Sequence, residues 1–410
     1  MAEPKPTKRA RVAFVNSHPI QYFVPLYRRI NASRDIEAVP VYITKHGLRG
    51  DVDPGFKQAF NWDIDLMTGT DPIFVAGADT RQLDPGATHM IAPDIWNVVR
   101  TGNFDAVVIH GHRIGANHVA TLAAKSIGIP IISRGETHLG LPQSPLREAA
   151  RKALMGSYYR LIDGFLVIGS LNRAFYQAMG VPDAKLFSFP YTVDNERMMG
   201  EAVMSSNDRA AYRAKLGVHD DAPILLYASK FMPRKHPDDL ISAARILKDR
   251  GLHFHLVLAG SGEMDDALRA QAASHPDLSI HFPGFVNQAE LPRLFGASDI
   301  FVLPSQAEPW GLIINEAMCA GLPVVASREI GSVADLVKPG VNGDVFDATD
   351  VASMVDALTP MVADMAEAKR RGAASLKIIG AWNYDACVTG LRAALTALGA
   401  LGGGSGRARP

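Results

Sequence analysis

Residues 299–327 read DIFVLPSQAEPWGLIINEAMCAGLPVVAS. The run 299–304 is short, apolar and rich in β-branched and aromatic residues, as a strand buried on both faces must be. A polar loop follows at 305–310. Gly311 stands where a helix should begin, and the apolar residues after it recur at helical spacing. Gly321, Leu322 and Pro323 punctuate the end of that helix, and a second β-branched run fills 323–327. Strand, loop, helix and strand in succession form the unit of a parallel α/β sheet.

The same rhythm extends outward from this stretch. Apolar β-branched runs at 11–17, 37–44, 105–111, 129–134, 163–169 and 185–191 alternate with amphipathic segments in the first half, and runs at 224–228, 253–259 and 279–282 precede 299–304 in the second. Between them, a polar, Met-rich stretch up to about Asp221 carries no clear period. The pattern predicts two doubly wound, Rossmann-like parallel-sheet domains, 1–195 and 196–380, facing each other across a cleft. A helix at 381–400 is expected to return to the N-terminal domain, and 401–410, ending GGGSGRARP, has the composition of a flexible tail. The clearest helix is 237–250, with Pro237 at its first position, Asp238 and Asp239 in its first turn, Arg250 near its end and Gly251 beyond.

Composition excludes several classes. The chain has 410 residues, 47% of them hydrophobic and 20% charged, which rules out both a single small module and wholesale disorder. Lys plus Arg and Asp plus Glu are both 42, so no overall positive field exists to gather nucleic acid. The charge is unevenly spread, net +4 up to residue 195 and net −4 after it. Two distant cysteines, Cys319 and Cys387, fit a reducing compartment. The polar N-terminus has no apolar core of a signal peptide behind it, and no apolar run approaches the ~18 residues of a spanning helix. The expected location is therefore cytoplasmic. A helical segment with Arg147, Arg151, Lys152, Tyr158, Tyr159 and Arg160 offers peripheral membrane contact, against the simpler reading of a solvated, partly buried helix.

Open parallel sheets bind ligands at the carboxyl ends of their strands, so the residues after each strand carry the chemistry. After 299–304 come Glu308 in the loop, Gly311 at the helix start and Glu316 inside the helix. Backbone N–H groups around Trp310, Gly311 and Leu312 suit a diphosphate, because a helix N-terminus favours anions and glycine admits close approach. A carboxylate can accept hydrogen bonds from two neighbouring sugar hydroxyls. Phosphate and sugar together suggest a sugar nucleotide. After 224–228, Lys230 and Lys235 bring positive charge to the same edge. Gly260 follows 253–259, and Gly284 with Phe285 follows 279–282, where Phe285 fits either the nucleotide base or the core.

The spacing of Glu308 and Glu316 inside PSxxExxGxxxxEAMxxGxPVVA closely resembles the signature of retaining glycosyltransferases of family 4, which have the GT-B fold. The resemblance covers most of 224–350 and is looser before it, resting there on Asp105 to Gly111, Gly128 to Ile132 and the Tyr191-Thr192-Val193-Asp194 run. It implies that Glu316 binds the ribose hydroxyls and that Glu308 contacts the transferred sugar near the reacting carbon. It further implies that the lysines and the helix dipole neutralise the diphosphate without a metal or other cofactor. This sequence departs from the pattern at Lys230, where the family usually has Arg, and at His236, where it usually has Gly.

In the N-terminal half the family's glycines after the first strand are missing. Pro19 removes a backbone donor, so His18 and Gln21 would make any contact there through their side chains. His110, His112, Arg134, Glu136 and His138 also follow strands and read as acceptor or sugar contacts. Their spacing fits no usual zinc motif. His138 fits a general base or a hydrogen-bonding group equally. The expected activity is transfer of a hexose-type sugar from a nucleoside diphosphate, UDP or GDP, to a saccharide, lipid-linked or small-molecule acceptor. An epimerase or phosphorylase of the same fold and a silent sugar-nucleotide-binding scaffold are the rivals. A dehydrogenase is set aside because no G-x-G-x-x-G follows the first strand.

Overall fold

A computed structural model describes residues 9–48, 62–81, 83, 90–139 and 155–401, with the backbone of Val52–Asp53 and Gln58–Ala59. The chain divides into two compact units. Unit 1 comprises Met1–Asp51, Asp65–Pro190 and Tyr384–Pro410, and unit 2 comprises Val52–Ile64 and Tyr191–Asn383.

Unit 1 carries a seven-stranded sheet in the order Ile73–Phe74, Ile36–Tyr42, Ala10–Asn16, Ala106–His110, Ile131–Arg134, Gly164–Val167, Leu186–Ser188. Every pairing in it is parallel. Unit 2 carries six parallel strands in the order Ile280–Gly284, His255–Ala259, Ile224–Ala228, Ile300–Leu303, Val324–Ser327, Gly343–Phe346. The central runs ILLYA and IFVL are buried along their whole length, because helices cover both faces of the sheet. Winding reverses between Ala10–Asn16 and Ala106–His110 in unit 1, and between Ile224–Ala228 and Ile300–Leu303 in unit 2. These switch points are where such sheets bind ligands.

Three aspartates pin the register. Each stands one residue before a strand, gives its own amide to a carbonyl at the start of the neighbouring strand and takes that residue's amide on its carboxylate. Asp105 does so with Arg11 (2.7 and 2.9 Å), Asp163 with Ile131 (2.9 and 2.9 Å) and Asp299 with Ile224 (3.1 and 2.9 Å). Asp299 also takes Arg209 at 2.7 Å and Arg213 at 3.1 Å, and Arg213 is buried with further donations to the carbonyls of Ala297, Asp220 and Ala222.

The structure adds elements that periodicity does not reveal. The stretch before Asp221 holds two helices, Asn195–Ala202 and Ser206–Lys215, capped by the Asp194 carboxylate on the Arg197 amide and the Ser205 hydroxyl on the Asp208 amide. Their apolar faces are narrow, so the caps are the legible signal. The strand Gly343–Phe346 begins on a glycine whose Cβ would stand 1.8 Å from the Val324 carbonyl oxygen, so only glycine admits the pairing. The helix Tyr384–Ala397 lies against unit 1 strands: a Cβ on Gly390 would meet the Ser188 carbonyl oxygen at 1.6 Å, and Arg392 and Asp385 pair with Asp35 and Arg29. Among the described residues no helix is long and apolar enough to cross a membrane. Arg147, Arg151, Lys152 and the tail 402–410 lie outside the described residues. Tyr159 is buried in the unit 1 core and Tyr158 meets the Thr121 hydroxyl at 3.1 Å, so these two tyrosines pack inward and offer no aromatic surface to a bilayer.

Breaking a buried ion pair leaves an uncompensated charge, so Asp299→Ala is expected to destabilise unit 2 by about 3–5 kcal/mol in urea unfolding. Asp163→Ala, whose partner Lys125 is 37% exposed, is expected to cost unit 1 only about 1 kcal/mol.

Candidate active site

The site in unit 2 grows from the two strands at the switch point. The loop after Ile224–Ala228 and the loop after Ile300–Leu303 are tied together by their backbones: the Gln306 amide donates to the Arg234 carbonyl at 2.9 Å, and the Arg234 guanidinium donates to the Ala307 carbonyl at 2.9 Å. Between these loops the Lys235 ammonium pairs with the Glu308 carboxylate, and both side chains are buried. Glu308 also accepts from the Ser305 hydroxyl at 3.2 Å and faces Arg234 at 3.6 Å. Burial, then the charges of Arg234 and Lys230, push the Lys235 ammonium down to about 7, while the adjacent carboxylate favours its charged form. Lys230 is half-buried on the same loop, its carbonyl accepting from the Tyr227 hydroxyl at 2.9 Å.

The segment after Glu308 is fixed by its neighbours. The Glu308 and Trp310 carbonyls accept the amides of Gly331 (3.1 Å) and Ser332 (3.0 Å). Gly311 then adopts a left-handed conformation, φ 88° and ψ 60°, which launches the helix Leu312–Cys319. A Cβ there would meet the Ile330 Cγ2 at 2.9 Å. The first amides of this helix, from Leu312 onward, have no acceptor within the helix by construction. Glu316 is buried inside it, 3.5 Å from the Gln288 amide nitrogen, and Gln288 is itself held by Arg197 at 3.0 and 3.2 Å.

Other residues singled out in unit 2 have structural duties. The Trp310 ring is 4% exposed and lies between Tyr191 and Trp382, at 6.0 and 5.3 Å, with its Nε1 donating to Asn315 at 3.0 Å. Its side chain is therefore a packing group, which leaves its backbone for any ligand. Gly260 is demanded by the fold, since a Cβ would lie 2.0 Å from the Ser229 carbonyl oxygen. Its amide donates to the Gly284 carbonyl at 2.9 Å, which brings the ends of two neighbouring strands together. Phe285 is half-buried just beyond Gly284, outside the buried core. Sequence reasoning missed Gln288, Ser305 and Asn315, all buried. Polar residues of this size give no periodic signal, and only their burial marks them.

In unit 1 the candidates disperse. His18 lies after the first strand, with its Nδ1 2.8 Å from the Ser17 hydroxyl and its ring edge-on to His46 at 5.3 Å, and Gln21 is half-buried in the turn before the helix Phe23–Asn31. His110 and Arg134 both pack on the Phe23 ring, each at 4.7 Å, and Arg134 reaches Glu136 at 3.1 Å. Burial, then the Arg134 charge, push His110 down to about 3, so it stays neutral at physiological pH. His112 faces elsewhere, its Nδ1 3.4 Å from the Tyr159 hydroxyl. His138 is buried, and burial lowers its pKa, which favours the neutral imidazole a base requires.

The comparisons with known proteins agree with this architecture. The family model "Glycosyl transferases group 1" matches residues 208–377, so that stretch of the chain is similar to that group. Among curated relatives, the D-inositol 3-phosphate glycosyltransferase of Geodermatophilus obscurus is 29% identical over 315 residues, covering 72% of this chain and 67% of that protein. Among solved structures, sucrose-phosphate synthase from Thermosynechococcus elongatus has a TM-score of 0.71 at 19% identity, covering 96% of this chain and all of that one. Anabaena HepE in complex with UDP and glucose has a TM-score of 0.68 at 16% identity, covering 95% and 100%. The fold is GT-B.

Gly311→Ala is expected to strain the left-handed turn by about 1–2 kcal/mol and to lower the Tm by roughly 3–6 °C, with helical circular dichroism retained before the transition. A Tm equal to wild type would mean that the turn readjusts freely.

Proposed function

We propose that the chain is a retaining hexosyltransferase of family 4 that takes its sugar from a nucleoside diphosphate, with UDP or GDP as the nucleotide. The observation that carries this reading is the pairing of Arg234 and Lys235 with Glu308, with Lys230 on the same loop, at the switch point of unit 2 and one loop before an uncapped helix N-terminus. Lys230, Lys235 and the amides from Gly311 onward hold the diphosphate. Glu316 accepts from the ribose hydroxyls, oriented by Gln288. Phe285 and Gly284 line the base, with Gly260 beside them. UDP in the HepE complex supports the choice of nucleotide.

Departure of the diphosphate develops negative charge on its terminal phosphate, and the fixed cations and amides stabilise that charge without reorganising. When the donor phosphates compete for Lys235, the Glu308 carboxylate is released toward the sugar near the reacting carbon. The leaving phosphate accepts the acceptor hydroxyl's proton on the same face, which retains the anomeric configuration. Lysines and backbone do the work a divalent cation performs elsewhere, so this mechanism uses no metal. Unit 1 supplies acceptor contacts through Gln21, His112, Arg134 and Glu136. His18 adds a donor contact, and His138 takes up or shares a proton. The name of the D-inositol 3-phosphate relatives supports a small polyol or saccharide acceptor, and Arg134 offers a charge for a phosphorylated one. The cytoplasmic face of a membrane is the expected setting if that acceptor is lipid-linked.

The test is thermal stabilisation and saturation-transfer NMR with UDP, GDP, ADP and their sugar conjugates. One nucleotide at 100 times its Kd is expected to stabilise the chain by about 2.7 kcal/mol, and Glu316→Ala to abolish that gain. Stabilisation by none of them would sink the reading.

The low pKa of Lys235 sets a pH dependence. Its ammonium form binds the diphosphate and is present below about 7. Affinity for a sugar-linked diphosphate, whose phosphates do not titrate in this range, is expected to weaken up to tenfold per unit between about pH 7 and about pH 9. Lys235→Met should bind weakly at every pH with a flat profile, measured by isothermal titration calorimetry.

A further inference from the structure

The opposite edge of the unit 2 sheet carries a second cluster. His255 is the first residue of its strand, His281 the second of the next, and Asp220 lies in the loop leading to Ile224–Ala228. All three therefore stand at amino ends of strands, while the cationic loops leave the carboxyl ends. We propose that this edge binds a transition-metal ion of the zinc class on Asp220, His253 and His255, with a fourth position left for water.

The geometry supports this assignment. The ligand atoms of the three residues all lie within 4.8 Å of one another. His255 Nε2 is 2.9 Å from Asp220 Oδ1, and His253 Nε2 is 3.7 Å from Asp220 Oδ2. Two ligands about 2.0–2.1 Å from a tetrahedral zinc stand about 3.3 Å apart, so the two observed separations bracket that spacing. The pair at 3.7 Å is too long for a hydrogen bond and suited to a bridging ion. His255 is buried and its Nδ1 lies 2.9 Å from His281 Nε2. That contact orients the ring, and with His255 Nδ1 donating to His281 it would leave Nε2 for the ion, as outer partners of metal-bound histidines do. Gly217 permits the approach, since a Cβ there would stand 3.0 Å from His281 Nδ1. A mix of imidazole and one carboxylate selects zinc, nickel or cobalt over magnesium or calcium. The ion would clasp the loop before Ile224–Ala228 to the start of the neighbouring strand His255–Ala259.

The experiment titrates ZnCl2 into the full chain, free of any polyhistidine tag, by calorimetry, with CoCl2 absorption as a second reading. Expected are one ion per chain, a raised Tm and visible cobalt bands of tetrahedral intensity. His253→Ala, at a side chain 63% exposed and so harmless to folding, should weaken binding more than tenfold, as should Asp220→Asn. His281→Ala should weaken it about ten- to a hundredfold. No saturable binding at one ion per chain would overturn the proposal. So would binding that survives both His253→Ala and Asp220→Asn, or that is lost instead in Asp239→Asn, since His236, Asp238 and Asp239 form the other candidate group among the described residues.

Discussion

Register is the constraint on which everything else in both units depends. In a parallel sheet a slip of one residue turns every side chain to the opposite face and moves each strand's end relative to its neighbours. Asp105, Asp163 and Asp299 resist that slip in the same way, each clamping a residue at the start of the neighbouring strand by its amide and its carbonyl. Because Asp299 holds Ile300–Leu303 level with Ile224–Ala228, the two loops that leave these strands emerge side by side. Only then can Arg234 lace to Gln306 and Ala307, and only then does Lys235 meet Glu308.

That meeting is costly in isolation. Burying two opposite charges loses their hydration, and a single contact rarely recovers the loss. Here Glu308 has two cations, Arg234 and Lys235, and the Ser305 hydroxyl around it, whereas Lys235 is buried and faces two like charges, and is the group driven toward neutrality. The arrangement carries surplus positive charge in a place that folding itself does not need. The backbone from Glu308 to Trp310 is fixed in turn by the amides of Gly331 and Ser332.

The fold class was legible because buried parallel strands are written as uninterrupted apolar runs. Each of those eleven runs overlaps a strand of the structure, with ends that differ by no more than three residues. Gly343–Phe346 escaped because its burial pattern is mixed and its decisive feature is a carbonyl in another strand. The helices Asn195–Ala202 and Ser206–Lys215 escaped because caps and charged faces, more than apolar spacing, define them. In the candidate site, Glu308, Gly311, Glu316 and the lysines could be read from spacing, since each sits a fixed number of residues past a strand. What spacing does not encode is which polar group faces which. Gln288 reaches Glu316 across 28 residues of sequence, and Trp310 turns its ring away from the strand end to meet Trp382.

His236 shows how such a departure is accommodated. The structure holds this residue at φ 48° and ψ 45°, the left-handed region in which glycine is unstrained and a residue with a β-carbon costs about 1–2 kcal/mol. The conformation cannot be relaxed, because it both aims the preceding Lys235 inward and begins the helix Pro237–Asp249 on the next residue. Its Nδ1 lies 3.1 Å from the Asp239 carboxylate in the first helical turn, so the imidazole offsets part of the strain that its own β-carbon creates. Histidine is thus tolerable here for a local reason that glycine does not share.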